Sequence, residues 1–182
     1  MEKIHITITC PDQSEINILA YYCPPNLKID QIEETLENDF DLIKNKNYII
    51  LGDFNINLLK NDDKTERYKE LLKIYNLENL INTPTRVTKN SKTLIDHLIT
   101  NEKSIIKHIN NASLDITDHH VITFDISTEE KHNNKNTNDS NQTNKNSTKI
   151  KYDTSTYLTT LTNKIIDLPI EDKYFKFYIF FF

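Results

Sequence analysis

The chain has 182 residues, 37% of them hydrophobic and 27% charged, with a formal net charge of −5. That length allows one ordinary domain and a short appendage, and the acidic balance argues against general adhesion to nucleic acid, though not against an enzyme whose carboxylates hold a cation. Cys10 and Cys23 lack C-x-x-C spacing and a secretory signal, and no apolar run reaches membrane-span length, so a reduced protein of the nucleus or cytoplasm is expected, neither secreted nor membrane-bound.

Ile4, Ile6 and Ile8 alternate with His5, Thr7 and Thr9, the period of a half-buried strand. Pro11, Asp12 and Ser14 mark a turn, and residues 16–22 resume as a more apolar strand, which together read as an antiparallel hairpin. Pro24-Pro25-Asn26 ends it. From Asp30, read as an N-cap, to Lys44, the residues Ile32, Leu36, Phe40 and Ile43 recur at helical spacing with acids on the opposite face. Residues 48–51 are bulky and β-branched at the centre, a short buried strand, and a strand–helix–strand unit usually joins parallel strands. Gly52, the only glycine, ends that strand and lets the backbone turn. Asp53 and Asn55 then emerge two residues apart, on one side if the extended geometry continues. An isolated Gly-Asp-x-Asn is more often a strand end with an Asx-type turn.

A polar loop leads to a second helix over residues 65–75, with Tyr68, Leu71, Leu72 and Tyr75 on one side. Leu80 and Ile81 precede Thr83-Pro84-Thr85. Residues 93–100 read as a strand with Asp96 and His97 in its middle, and charge buried there needs a polar partner. Residues 105–109 and 121–126 supply two more strands, with Thr117-Asp118-His119-His120 between them. Apolar residues nearly vanish after Ser127. Residues 128–150 read as a disordered Asn/Lys/Thr-rich linker, and 151–182 as a short helix (157–166) and an aromatic tail without an evident partner, an aggregation liability.

Four polar clusters thus end or interrupt apolar strands: Tyr22, Asp53 with Asn55, Asp96 with His97, and Asp118 with His119. Singly, each is weak, since a lone His beside an Asp is usually a hydrogen-bonded pair. In series they supply what metal-assisted phosphodiester hydrolysis requires. Carboxylates hold a hard divalent cation, an acid or amide orients water, and an imidazole fixed by a carboxylate stabilises charge on the phosphate.

The segments Leu-Gly-Asp-Phe-Asn, Leu-Ile-Asp-His-Leu-Ile-Thr and Thr-Asp-His-His-Val-Ile resemble the endonuclease/exonuclease/phosphatase superfamily. With Tyr-Tyr-Cys-Pro-Pro-Asn, the chain looks most like the endonuclease domain of jockey-type non-LTR retrotransposons, over residues 1–127. The resemblance implies an α/β (α+β) fold, part of a four-layered α/β sandwich of the exonuclease III/DNase I-like type. It implies DNA as substrate, Mg²⁺ (or Mn²⁺) as cofactor, and a reverse transcriptase domain as partner in a full-length element. By the same resemblance Asp53 activates or positions the attacking water beside the amide of Asn55. His119 contacts the scissile phosphate, Asp96 fixes its imidazole, and Tyr22 approaches the phosphate. Asp118 and Asp53 stand at the metal. His97, His120 and Thr117, which replaces the more usual serine, carry no role.

The family's first strands carry an asparagine and a metal-binding glutamate that have no counterpart here; Glu2 and Glu15 lie in the wrong context. Residues 1–127 are therefore expected to be the C-terminal portion of the domain, with the cation weakly held if at all and nicking severely reduced or absent. Two alternatives stand beside the endonuclease: a phosphatase of the same superfamily, and a non-catalytic remnant serving as an interaction module.

Overall fold

The computed structural model describes residues 1–10, 13–42, 46–114, 117–127, 149–153 and 174–179. Ile4, Ile6 and Ile8 of β1 (Glu2–Thr9) all point to one side, as their alternation with polar residues requires. β1 pairs antiparallel with β2 (Glu15–Tyr22), and β2 runs parallel to β3 (Asn47–Asp53) across helix α1 (Ile29–Leu42). The expected hairpin and strand–helix–strand unit are both present. Helix α1 starts at Ile29, so Asp30 lies in its first turn instead of capping it. The carbonyl of Lys28 accepts the first helical bonds, and the Asp30 carboxylate binds Arg67 of the second helix at 2.6 Å. Ile43 and Lys44 fall outside the described residues.

After a polar loop, helix α2 (Asp63–Ile74) is capped by Asp62, whose carboxylate accepts from Thr65 N at 3.0 Å. The short strands β4 (Glu78–Asn79), β5 (Arg86–Val87) and β6 (Lys92–Thr93) follow, and then β7 (Asp96–Thr100). The strand expected over 93–100 is broken at Leu94 and Ile95, whose carbonyls accept from Leu58 and Phe54 of the β3–α2 loop. A turn of 3-10 helix (Lys103–Ile105) leads to β8 (Ile106–Ser113) and β9 (His120–Ser127).

The main sheet has the order β10-β1-β2-β3-β7-β4, where β10 (Lys149–Asp153) runs antiparallel to β1. The second sheet has the order β11-β9-β8, where β11 (Tyr174–Ile179) pairs antiparallel with β9. Both late strands depart from the sequence reading. Lys149 and Ile150 belong to a strand, and Tyr174–Ile179 has a partner in β9 because an unpaired β9 edge accepts a β-prone segment. The rest of the expected linker and the helix over 157–166 lie outside the described residues.

The main sheet is buried on both faces. Toward the second sheet it packs Ile18, Ile49, Leu51 and Leu98 against Ile122, Phe124 and Ile126. Toward the helices it packs Leu19, Ile50 and Ile99 against Ile32, Leu36, Phe40, Tyr68 and Leu71. Helices, sheet and second sheet are three layers of the α/β sandwich, an α+β arrangement. Arg67 ties α1 to α2 through Glu33 and Asp30. Among the described residues no helix is long and apolar enough to cross a membrane.

Gly52 serves a purpose other than a turn, since β3 continues through it to Asp53. Its φ is +154°, and a Cβ there would lie 2.0 Å from the carbonyl oxygen of Tyr21 on β2. Glycine is the residue that allows this approach. Gly52→Ala is expected to destabilise the fold by about 3 kcal/mol or more, the sum of backbone strain and overpacking, read as a lower urea midpoint; an unchanged midpoint would refute the close-contact account.

Candidate active site

The ladder itself aligns the first three site residues. Tyr22 on β2 is in register with Asp53 on β3, and Asp53 with Asp96 on β7, so the three stand in one row at one end of the sheet. Asp53 and Asp96 share a face with Leu51 and Leu98, the face turned to the second sheet. From that sheet β9 begins beside them and delivers His119, whose Nδ1 lies 3.0 Å from Asp96 Oδ2 and 3.2 Å from Oδ1. A carboxylate only accepts, so Nδ1 carries the proton and Nε2 is the ring nitrogen directed away from Asp96. Donor atoms of Asp53, Asp96 and His119 all lie within 4.8 Å of one another.

Asn55 and Asp53 meet, but through a turn. Asn55 has φ +48°, its N–H donates to Asp53 Oδ1 at 3.0 Å, and its Nδ2 bonds Asp53 Oδ2 (3.2 Å) and the Cys23 carbonyl (2.9 Å). The Asx-type turn is thus realised, with the amide used to hold the carboxylate. Tyr22 is 41% exposed at the open end of the row. Asp118 lies outside the close group. Its carboxylate accepts from Arg86 Nε at 2.8 Å, a bond that holds it below the usual carboxylate range.

Two residues that the sequence reading passed over complete the site. Thr85 is fully buried, and its hydroxyl oxygen accepts from the N–H groups of Ile95 (3.1 Å) and Asp96 (2.9 Å), while its carbonyl accepts from His120 N at 2.7 Å. It thereby links the strand of Asp96 to the strand of His119. Arg86, next to it, forms a backbone bridge with His119. Both come from a polar segment without apolar periodicity, and the one sequence signal there was Pro84 before them.

Burial first, and then the nearby Asp96 carboxylate, push Asp53 up to about 6, against the Asn55 N–H, His119 and Arg86. The bond to Asp96 raises His119, so its imidazolium persists to higher pH than an ordinary histidine's. His97 faces the helices. It stacks on Phe54 with ring centroids 5.0 Å apart. Its Nε2 donates to the Ile56 carbonyl (3.1 Å) and its Nδ1 accepts from the Tyr68 hydroxyl (3.1 Å). Burial lowers it to about 4. It is a neutral core residue.

The layered fold is that of the endonuclease/exonuclease/phosphatase superfamily, to which the family match assigns the chain. The family described as endonuclease-reverse transcriptase matches residues 16–124, and the chain belongs to it. No curated protein matches. Among solved structures the chain is similar to the endonuclease domain of TRAS1, a telomere-specific non-LTR retrotransposon, at 21% identity and a TM-score of 0.56, over 62% of this chain and 56% of that one. A mannosyl-6-phosphatase of Bacteroides thetaiotaomicron VPI-5482 matches at 14% identity and 0.37, over 63% and 54%. An endonuclease/exonuclease/phosphatase family protein of Bacteroides thetaiotaomicron matches at 13% and 0.35, over 59% and 47%. The chain shares its fold with the TRAS1 domain. The chain spans about half the length of these solved relatives.

Opposite pH dependences follow for the two buried groups. The lowered His97 stabilises the fold fully above its ordinary pKa of 6.5, and that stability is lost as pH falls toward about 4, where the unfolded chain takes up the proton first. Between pH 6.5 and 4 the unfolding free energy should therefore drop by about 3 kcal/mol more in the wild type than in His97→Gln. The raised Asp53 acts the other way, its contribution being present below 3.8 and lost as pH rises through about 6. Asp53→Asn should accordingly gain stability over the wild type across that rise. Denaturant titrations at each pH measure both, and parallel curves for variant and wild type would contradict the burial of either group.

Proposed function

We propose that this chain is part of the DNA-nicking endonuclease of a non-LTR retrotransposon, hydrolysing phosphodiester bonds with a divalent cation. The observation that carries the reading is the Asp96–His119 contact held beside the Asp53 carboxylate, all within 4.8 Å. Family membership and the fold shared with the TRAS1 domain support it. In this reading His119 Nε2 donates to an oxygen of the scissile phosphate and offsets the charge that grows there. Asp96 keeps the imidazole in the Nδ1–H form and favours its protonation. Asp53, fixed by Asn55, orients the attacking water and accepts its proton, a task suited to a carboxylate raised toward neutrality. Tyr22, exposed at the end of the row, reaches the phosphate from the other side.

The donor set fits Mg²⁺ or Mn²⁺ loosely. Asp96 is committed to His119 and Asp118 to Arg86, which leaves Asp53 as the site carboxylate that neither imidazole nor guanidinium binds. In this reading Asp118 stays paired with Arg86. A cation there supplies Lewis-acid polarisation of the phosphoryl oxygen. One carboxylate with waters holds Mg²⁺ weakly, so slow nicking is expected of this polypeptide alone. A reverse transcriptase domain of the same element is the proposed partner.

With supercoiled plasmid and Mg²⁺, Asp53→Ala and His119→Ala should each reduce nicking by about 10²-fold or more. Nicking that persists in either variant would overturn the assignment. Calorimetry should find weak Mg²⁺ binding, with a dissociation constant on the order of millimolar, that vanishes in Asp53→Asn. Retained binding in that variant would move the cation elsewhere.

A further inference from the structure

We propose that Arg86 is a substrate-binding residue that grips a backbone phosphate of the DNA at the mouth of the site, oriented for this by Asp118; the proposal rests on the nuclease reading above.

The chain has two arginines, and they are used differently. Arg67 is engaged through Nε and Nη2 by Glu33 and Asp30, closing the two helices on each other. Arg86 bonds Asp118 through Nε alone, so among the described residues its outer Nη edge has no protein partner. Side chains of both Arg86 (43% exposed) and Asp118 (39%) lie open to solvent, and a pair so exposed adds little to stability. Maintenance of the fold therefore does not account for a guanidinium here.

Its position does. The backbone of Arg86 bridges that of His119, and Val87 N donates to the Asp118 carbonyl at 2.8 Å. The guanidinium and the imidazole thus start from paired positions, one across from the other. The close group brings the carboxylates of Asp53 and Asp96 together, and Asp118 adjoins its His119 in sequence, so the site carries negative charge that repels a polyanion. A cation beside them answers that repulsion. A guanidinium held from its Nε side by a carboxylate presents two parallel Nη donors, the spacing that suits two non-bridging phosphate oxygens, and a lysine cannot reproduce that fork.

The test is fluorescence anisotropy of a labelled DNA duplex titrated with the chain in EDTA over a series of KCl concentrations, with wild type, Arg86→Gln, Arg86→Lys and Asp118→Asn. Arg86→Gln should weaken binding about tenfold or more and make the slope of log affinity against log salt shallower by about 0.9, the release expected for one phosphate contact. Arg86→Lys should keep the slope and lose affinity, because the charge remains and the fork does not. Asp118→Asn should also keep the slope, which separates a phosphate contact from an indirect effect through Asp118. An unchanged slope in Arg86→Gln, or wild-type affinity in Arg86→Lys, overturns the role of Arg86 and leaves the nuclease reading standing. A wild-type chain that binds no duplex overturns both.

Discussion

A carboxylate buried to zero exposure must find a cation or hydrogen-bond donors, and Asp96 is such a group at the start of a central strand. Its oxygens meet the His119 ring, and its own N–H meets the hydroxyl of Thr85. These partners belong to different parts of the chain, and to satisfy Asp96 they draw the start of β9 against the end of the main sheet. The relation between the two sheets at this end of the molecule depends on that contact. The apolar interlayer of Ile18, Leu98, Ile122 and Phe124 holds the sheets together, but burial is non-directional and would tolerate a shift. Hydrogen bonds to a buried ion do not, which is why the site and the sheet packing share one anchor.

A second constraint is the close approach of β2 and β3. The single glycine allows Tyr21 to lie against Gly52, and the parallel ladder then runs uninterrupted to Tyr22 and Asp53. Asp53 consequently emerges from a rigid strand end before the Asx turn at Asn55 closes over it. On the opposite face, His97 and Phe54 stack beneath the same row and join it to Tyr68 of α2. Adjacent residues of one strand therefore do different work: Asp96 faces the second sheet and His119, while His97 faces the helices and the core. Charge balance follows from the same geometry. Three carboxylates each receive a distinct answer: an imidazole for Asp96, a guanidinium for Asp118 outside the close group, and a partial shift toward the protonated form for Asp53.

Much of the main sheet was legible in the sequence because its signals are local. Alternating isoleucines marked β1, a bulky run marked β3, and helical spacing marked α1 and α2. The catalytic candidates were legible for a related reason, since each stands at the end of an apolar strand where a polar residue needs a purpose. Less legible were the features set by distant partners. The break at Leu94 and Ile95 depends on carbonyls bonded to the β3–α2 loop, and Asp30, expected as a cap, lies inside the first turn with its carboxylate on Arg67. The aromatic segment Tyr174–Ile179 showed no partner in sequence, because pairing with β9 is a contact made some fifty residues away.

Residue order alone determined the strand and helix periods, the single glycine, and the acids and histidines that carry the family resemblance, because propensity and periodicity act within a few positions. Tertiary structure decided which of those polar groups meet. It joined Asp96 to His119 and Asp53, assigned Asp118 to Arg86, turned His97 into the core, and made Thr85 the link between strands. Hydrogen-bond partners 11 to 32 positions apart follow from sheet register and layer packing, and no pattern along the chain encodes them directly.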